Sequence, residues 1–168
     1  MGRISASKCK RVASLKPTTS PTKALKDIMS YSDIPQTTAM RESLKKKKKL
    51  HKISFQRWTR KVSVVYSWRS GFFISMSHGY LGASPYGIIH LPTQSDPGVL
   101  EMKYIQVKPG KTLKDVLVNQ SICTENESSL ILNKNQKYFY QLCHQMFSTT
   151  YKWGYHILCH YWKLIVTQ

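Results

Sequence analysis

Two short segments carry most of the fold information in this sequence: Gly82-Ala83-Ser84-Pro85-Tyr86-Gly87-Ile88-Ile89 and Glu101-Met102-Lys103, fourteen residues after Gly87. Glu101 and Lys103 are two residues apart in an apolar run, so they share one face of a predicted strand. A carboxylate can hold a divalent cation, and a neighbouring ammonium can orient a water that attacks a phosphodiester. By spacing alone, such a pair is more often a solvated ion pair on an edge strand. The pattern therefore leaves a hydrolytic site and a plain ion pair open.

Short apolar runs on either side of these segments predict two β-hairpins. Residues 87–91 and 98–103 are separated by Pro92-Thr93-Gln94-Ser95-Asp96-Pro97, a turn-rich connection. Residues 62–66 and 72–75 are β-branched and aromatic and predict a hairpin around Ser70-Gly71. The strands thus lie in the middle of the chain.

Helical patterns flank the strands on both sides. Ser5 or Ser7 is expected to cap the first helix, and a single strand over residues 155–166 is expected to end the chain. This order predicts an α/β (α+β) fold, a mixed β-sheet flanked by helices, in a single domain over residues 1–168. The predicted helices cover residues 8–15, 22–29, 37–50 and 135–150.

Positive charge is concentrated in the first part of the chain. The formal net charge is +18, and 18 of the 26 Lys and Arg but only 3 of the 8 Asp and Glu lie within residues 1–69. A basic segment at residues 41–61 contains the run Lys45, Lys46, Lys47, Lys48 and Lys49. This run can contact phosphates, serve as a nuclear localisation signal, or be a solvated charged helix face. We expect contact with nucleic acid.

The composition argues against several other functions. The sequence has only eight Asp and Glu, too few for most sites that are built from clustered carboxylates. No Ser-His-Asp arrangement is visible. The cysteines lack CxxC spacing and are expected to be reduced thiols, while His144, His156, Cys159 and His160 match no common zinc pattern. No apolar stretch reaches the roughly 20 residues of a membrane span. We expect an intracellular protein with no membrane partner and no small-molecule substrate.

Three motifs in order make the sequence recognisable. Gly82-Ala83-Ser84-Pro85-x-Gly87, then Val99-Leu100-Glu101-Met102-Lys103, then Tyr138-x-Tyr140-Gln141-x-x-x-Gln145-Met146 resemble the YqaJ-type viral recombinase family, relatives of phage lambda exonuclease among the PD-(D/E)xK nucleases. The resemblance implies a restriction-endonuclease-like core and a Mg²⁺- or Mn²⁺-dependent exonuclease acting on double-stranded DNA ends in recombination or repair. The family usually continues beyond the last strand, so we expect a domain truncated at its C-terminus.

The resemblance also implies roles for individual residues. Glu101 corresponds to a metal ligand, Met102 offers its backbone carbonyl to the metal, and Lys103 positions the nucleophilic water. Gln141 corresponds to the glutamine that supports this lysine and water. Ser7 and Ser84 correspond to serines that line the pocket for the DNA 5′ phosphate.

Two positions depart from the family pattern. Tyr86 stands where the family has a metal-binding aspartate, and a neutral phenol is not a normal Mg²⁺ ligand. Lys47 falls at the position of an upstream glutamate, and Glu42 could replace it only if that helix shifted register. We therefore expect activity that is weak or lost. The alternative is a non-catalytic DNA-binding relic of a mobile-element recombinase.

Overall fold

The fold is described from a computed structural model, which covers residues 2–29, 41, 53, 55–56, 58–60, 66–126, 129–160 and 163–167. Of the predicted helix over residues 37–50, Arg41 is described and is helical, and the rest, including Lys45 to Lys49, lies outside the described residues. Within the described parts of the chain, no helix has the length and apolar character that crossing a membrane requires.

The larger sheet has five strands in the order β10-β9-β6-β5-β2. Strands β6 and β9 run parallel, and the other neighbours are antiparallel. Strand β6 lies in the middle of this sheet, between β5 and β9. Its residues 98–102 are buried, because other parts of the chain pack on both faces of the sheet. The strands are β2 (Tyr66–Trp68), β5 (Gly87–His90), β6 (Gly98–Tyr104), β9 (Gly154–His160) and β10 (Lys163–Thr167).

A smaller sheet of three strands is formed by the N-terminus and a hairpin. Its order is β1-β4-β3, with β1 (Ile4–Ser5) parallel to β4 (Leu81–Ala83) and β3 (Phe73–Ile74) antiparallel to β4. A separate two-stranded hairpin pairs β7 (Cys123–Asn126) with β8 (Ser129–Leu132). A 3-10 turn over Ala6–Lys8 follows β1.

Four α-helices are described, and the longest connects the two sheets. Helices α1 (Cys9–Ala13), α2 (Thr22–Ile28) and α3 (Leu113–Asn119) are short, whereas α4 spans Lys137–Thr149. Helix α4 contacts β6 and β9 of the larger sheet and also β3, β4 and the 3-10 turn. Leu142 of α4 packs against Ile88 and Val99, which joins the helix to the centre of the larger sheet.

The structure confirms the predicted fold class, the hairpin of β5 and β6, and the long helix near the C-terminus. Two predictions of strand pairing are wrong. Of the predicted hairpin over residues 62–66 and 72–75, residues 62–65 lie outside the described residues, and Tyr66 begins β2, which pairs with β5 in the larger sheet and not with β3 in the smaller one. The region predicted as one final strand is instead an antiparallel pair, β9 and β10. The structure adds α3 and the β7-β8 hairpin, which the sequence patterns did not predict.

Close packing of α4 on the sheet predicts a strong effect at Gly154. A Cβ built at Gly154 would lie 2.4 Å from Val99 Cγ2 and 2.9 Å from the Val99 carbonyl oxygen. Because backbone cannot move aside cheaply, Gly154→Ala should lower the free energy of unfolding by about 1–3 kcal/mol. Urea unfolding followed by circular dichroism measures the change. Gly71→Ala is the matched control, since no atom lies within 4 Å of its built Cβ, and equal effects would contradict the prediction.

Candidate functional site

The structure brings Glu101 and Lys103 together with a side chain from helix α4. Alternation along β6 places both residues on the face that α4 covers, and Lys103 Nζ lies 2.8 Å from Glu101 Oε1. Gln145 of α4 donates a hydrogen bond from Nε2 to Glu101 Oε2 at 2.6 Å. Glu101 is 6% exposed and Gln145 is fully buried. Both carboxylate oxygens of Glu101 are therefore engaged by donors from the chain itself.

The glutamine that reaches Glu101 is Gln145, and the role that the resemblance implies for Gln141, support of Lys103 and the water, stays a prediction. Gln141 is buried one helical turn before Gln145, and the bond to Glu101 comes from Gln145. Residues four apart on a helix lie on the same face, so the pair Gln141 and Gln145 is the signal that pointed to this face. The sequence analysis quoted Gln145 in the motif but gave it no role.

The buried side of α4 is unusually polar. Five of its six buried residues carry polar side chains, with Leu142 as the exception. Burial lowers the pKa of His144, and a hydrogen bond to the backbone of Gly82 in the smaller sheet raises it in partial opposition. The polar residues are Gln141, His144, Gln145, Ser148 and Thr149.

Tyr86 lies away from the Glu101 carboxylate. Its ring packs with the cluster around Trp58, on the face of β6 that carries Leu100 and Met102. The ring centroid lies 5.9 Å from that of Phe55. Burial raises the pKa of Tyr86, and a nearby Arg69 that hydrogen-bonds the phenol lowers it in partial opposition. Tyr86 therefore supplies no anionic oxygen beside Glu101.

The remaining described candidates lie in two different places. Met102 pairs with Ile157 in the β6-β9 ladder, and its side chain is buried in the Trp58 cluster. Ser7 and Ser84 are exposed and follow the carboxyl ends of the paired parallel strands β1 and β4. Because such ends meet at one edge of a sheet, the two serines belong to one edge. Lys45 to Lys49 lie outside the described residues.

His156 is the buried neighbour of Glu101 on the adjacent strand. The register of β6 and β9 pairs Glu101 with His156, and the His156 ring lies edge-on to Tyr138 with centroids 5.3 Å apart. Burial lowers the pKa of His156 to about 3, with a further lowering by the positive charge of Lys103. The imidazole is therefore neutral at physiological pH.

The arrangement does not fit a divalent metal ion. Mg²⁺ requires near-octahedral oxygen ligands and usually one or two carboxylates. The Glu101 oxygens already accept from Lys103 and Gln145, and Tyr86 packs elsewhere. In the described part of the chain, no group of three His, Cys, Asp or Glu side chains comes together that could hold a metal.

The fold and the Glu101-Lys103 strand define a protein of the exonuclease fold with a restriction-endonuclease-like core. LHK-Exo in complex with dAMP matches with a TM-score of 0.60 and 16% identity, covering 94% of this chain and 69% of that one. A second structure of LHK-Exo, an alkaline exonuclease from Laribacter hongkongensis, gives 0.61 and 15%, with 95% and 70% covered. No curated protein matches. The model of the YqaJ-like viral recombinase domain matches residues 1–152, and the chain belongs to this family.

The ion pair predicts a stability signature. Lys103→Met should destabilise the fold by about 3 kcal/mol, because it leaves a buried carboxylate without its counter-charge. Glu101→Gln combined with Lys103→Met removes both charges and should recover most of that loss. Urea unfolding of the two single variants and the double variant measures the coupling free energy. Additive effects would mean that the two side chains do not interact in the folded protein.

The lowered pKa of His156 predicts weaker folding in acid. An unfolded histidine takes up a proton near pH 6.5, whereas the folded protein takes one up at His156 only near pH 3. Between these values the unfolded state binds more protons, so stability rises with pH, by about 1 kcal/mol per pH unit for one such group. His156→Gln should reduce this slope between pH 6 and 4, as measured by urea midpoints. His78→Gln, at an exposed position, should leave the slope unchanged. An equal reduction of the slope in both variants would contradict its assignment to His156.

Proposed function

We propose that this chain binds double-stranded DNA ends in recombination or repair, and that its metal-dependent exonuclease chemistry is weak or lost. Membership of the YqaJ-like viral recombinase family and the exonuclease fold support DNA as the ligand. LHK-Exo in complex with dAMP supports the same ligand class, since dAMP is a deoxynucleotide. The formal net charge of +18 favours contact with phosphates.

The observation that carries the second half of the proposal is the closed environment of Glu101. A carboxylate that binds Mg²⁺ must present oxygen lone pairs to the ion. Here Lys103 and Gln145 donate to the two oxygens, and the residue at the family's aspartate position packs against the Trp58 cluster. Binding an ion would require breaking a buried ion pair and a buried hydrogen bond. The chain would then be a non-catalytic DNA-binding relic of a mobile-element recombinase.

A nuclease assay with matched variants tests this proposal. Wild-type protein should bind a 5′-phosphorylated duplex at low salt, yet degrade it with Mg²⁺ or Mn²⁺ no faster than Glu101→Ala does. Duplex binding is followed by anisotropy and degradation by gel. Robust metal-dependent degradation that disappears in Glu101→Ala and Lys103→Ala would contradict the proposed loss of activity. Failure to bind duplex at any salt concentration would contradict the proposed DNA function.

Substitution of Tyr86 provides a second test of the proposed function. The β5-β6 register pairs Gly87 with Leu100. One step further in the same antiparallel register, position 86 lies across from Glu101. The Tyr86 ring is held on the Leu100 and Met102 face by its packing in the Trp58 cluster, whereas an aspartate has no ring to pack there and is free to turn toward Glu101. Tyr86→Asp should therefore bring a second carboxylate to the site and raise Mn²⁺ affinity, measured by calorimetry. Tyr86→Asn is the matched control, because it removes the same ring without adding charge. Equal Mn²⁺ binding by the two variants would mean that an acid at this position does not approach Glu101.

A further inference from the structure

The four cysteines of the chain fall into two groups by burial. Cys123 of β7 and Cys159 of β9 lie in the core, with exposed fractions of 1% and 0%. Cys9, the first residue of α1, and Cys143 of α4 are partly exposed. All four are free thiols in the structure. Cys9 and Cys143 are therefore the two thiols that a reagent in solution reaches most easily.

The beginning of the chain packs along α4. We call residues 4–13 the N-terminal segment, and both its 3-10 turn and α1 contact this helix. Ser5 pairs with Gly82 of β4, and the side chain of His144 in α4 hydrogen-bonds the backbone of Gly82. The start of the N-terminal segment therefore lies near His144, in the second half of α4.

Lys10 fixes the other end of the N-terminal segment. Its Nζ donates to the carbonyl oxygen of Asn135, just before α4, and lies 5.8 Å from the centroid of the Tyr140 ring. The segment thus runs back along the helix toward the helix start. Cys9 lies between the two anchor points on the segment, and Cys143 lies between them on α4. Packing therefore brings the two cysteines side by side, as a disulfide requires.

The two thiols are close enough to influence each other. Burial raises the pKa of Cys9, and Cys143 raises it further, because two neighbouring negative charges would repel. Burial also raises the pKa of Cys143. Cys143 lines an open cavity of about 220 Å³ together with Phe139 and Met146. This volume is several times the roughly 30 Å³ that a water molecule occupies, so a small oxidant can enter.

We propose that Cys9 and Cys143 form a reversible disulfide that ties the N-terminal segment to α4 when a peroxide is present. The Cys143 thiolate attacks one oxygen of hydrogen peroxide, the O–O bond breaks, and proton transfer leaves a sulfenic acid and one water. The Cys9 thiolate then attacks the sulfenic sulfur, which forms the S–S bond and, with one proton, releases a second water. The two thiols lose two electrons, and the peroxide gains them.

The disulfide joins parts of the chain that are far apart in sequence. It closes a loop over residues 9–143, which restricts the unfolded chain and so stabilises the folded one. It also fixes β1 of the small sheet to the helix whose Gln145 bonds Glu101. The raised pKa of both thiols keeps the thiolate fraction low near neutral pH, so oxidation is slow there and faster in mild alkali.

Peptide mapping of the oxidised full chain tests the proposal. Folded wild-type protein is treated with hydrogen peroxide at about pH 8.5, the remaining thiols are blocked with N-ethylmaleimide, and the protein is digested. Mass spectrometry should find one linked pair of peptides, which carry Cys9 and Cys143. The urea midpoint of the oxidised protein should rise by about 1 M and return to its starting value with dithiothreitol.

Variants and the other cysteines provide the controls. Cys9→Ser and Cys143→Ser should each lose the linked peptides and the rise of the urea midpoint, whereas Cys123→Ala should keep both. Free thiols, or sulfinic and sulfonic acids, at both Cys9 and Cys143 of the treated wild-type protein would overturn the proposal. A disulfide to Cys123 or Cys159 would do the same, as would a link found only in the dimer band of a non-reducing gel. The mapping uses wild-type protein, so its result does not depend on how the variants fold.

Discussion

A carboxylate buried in the middle of a central strand is the constraint on which the rest of this structure depends. Desolvating Glu101 is costly unless a counter-charge and hydrogen-bond donors accompany it. Lys103 supplies the charge from the same strand, because side chains two residues apart share a face. The second donor must come from outside the sheet, and Gln145 supplies it only because α4 lies across β6. Gly154 of β9 keeps space for Val99 of β6, on which Leu142 of the helix packs, because a Cβ there would meet the Val99 side chain and carbonyl oxygen.

The two faces of β6 differ in polarity. This difference explains why Glu101 and Tyr86 lie in different surroundings. On one face, Glu101 and Lys103 meet the polar side of α4, a buried set of groups with the composition of a reaction site. On the other face, Leu100 and Met102 form an apolar cluster with Trp58. Tyr86 joins the apolar cluster because a large ring gains more from burial against aromatic residues than from a polar interior. The residue at this position thus adds packing to the apolar face and supplies no acid to the face of Glu101.

The parts of the fold that could be predicted from sequence are the local ones. The hairpin of β5 and β6 has a turn-rich connection between apolar runs, and α4 has helical periodicity. The antiparallel pairing of β9 with β10 was missed because the sequence between the two strands, residues 160–163, contains none of the usual turn residues. The start of helix α3 could have been predicted from the sequence, since Thr112 and Asp115 have the spacing of a capping box and form one in the structure. The pairing of β2 with β5 and the bond from Gln145 to Glu101 join distant residues, which no local pattern specifies. The motif resemblance indicated the strand that carries Glu101 and Lys103, but only the three-dimensional packing shows that Gln145 bonds Glu101.

The proposed loss of hydrolysis and the proposed binding of DNA are compatible because they depend on different groups of the protein. The Glu101 carboxylate lies beneath α4 and is shielded from solvent, so its pairing with Lys103 affects mainly the stability of the core. The formal net charge of +18, by contrast, comes from side chains spread over the whole sequence and does not depend on the contacts of Glu101. Substitutions that close the metal site therefore leave in place the charge that favours contact with phosphates. Under the proposed function, a fold of this kind loses the chemistry of a nuclease one ligand at a time and keeps its attraction to nucleic acid.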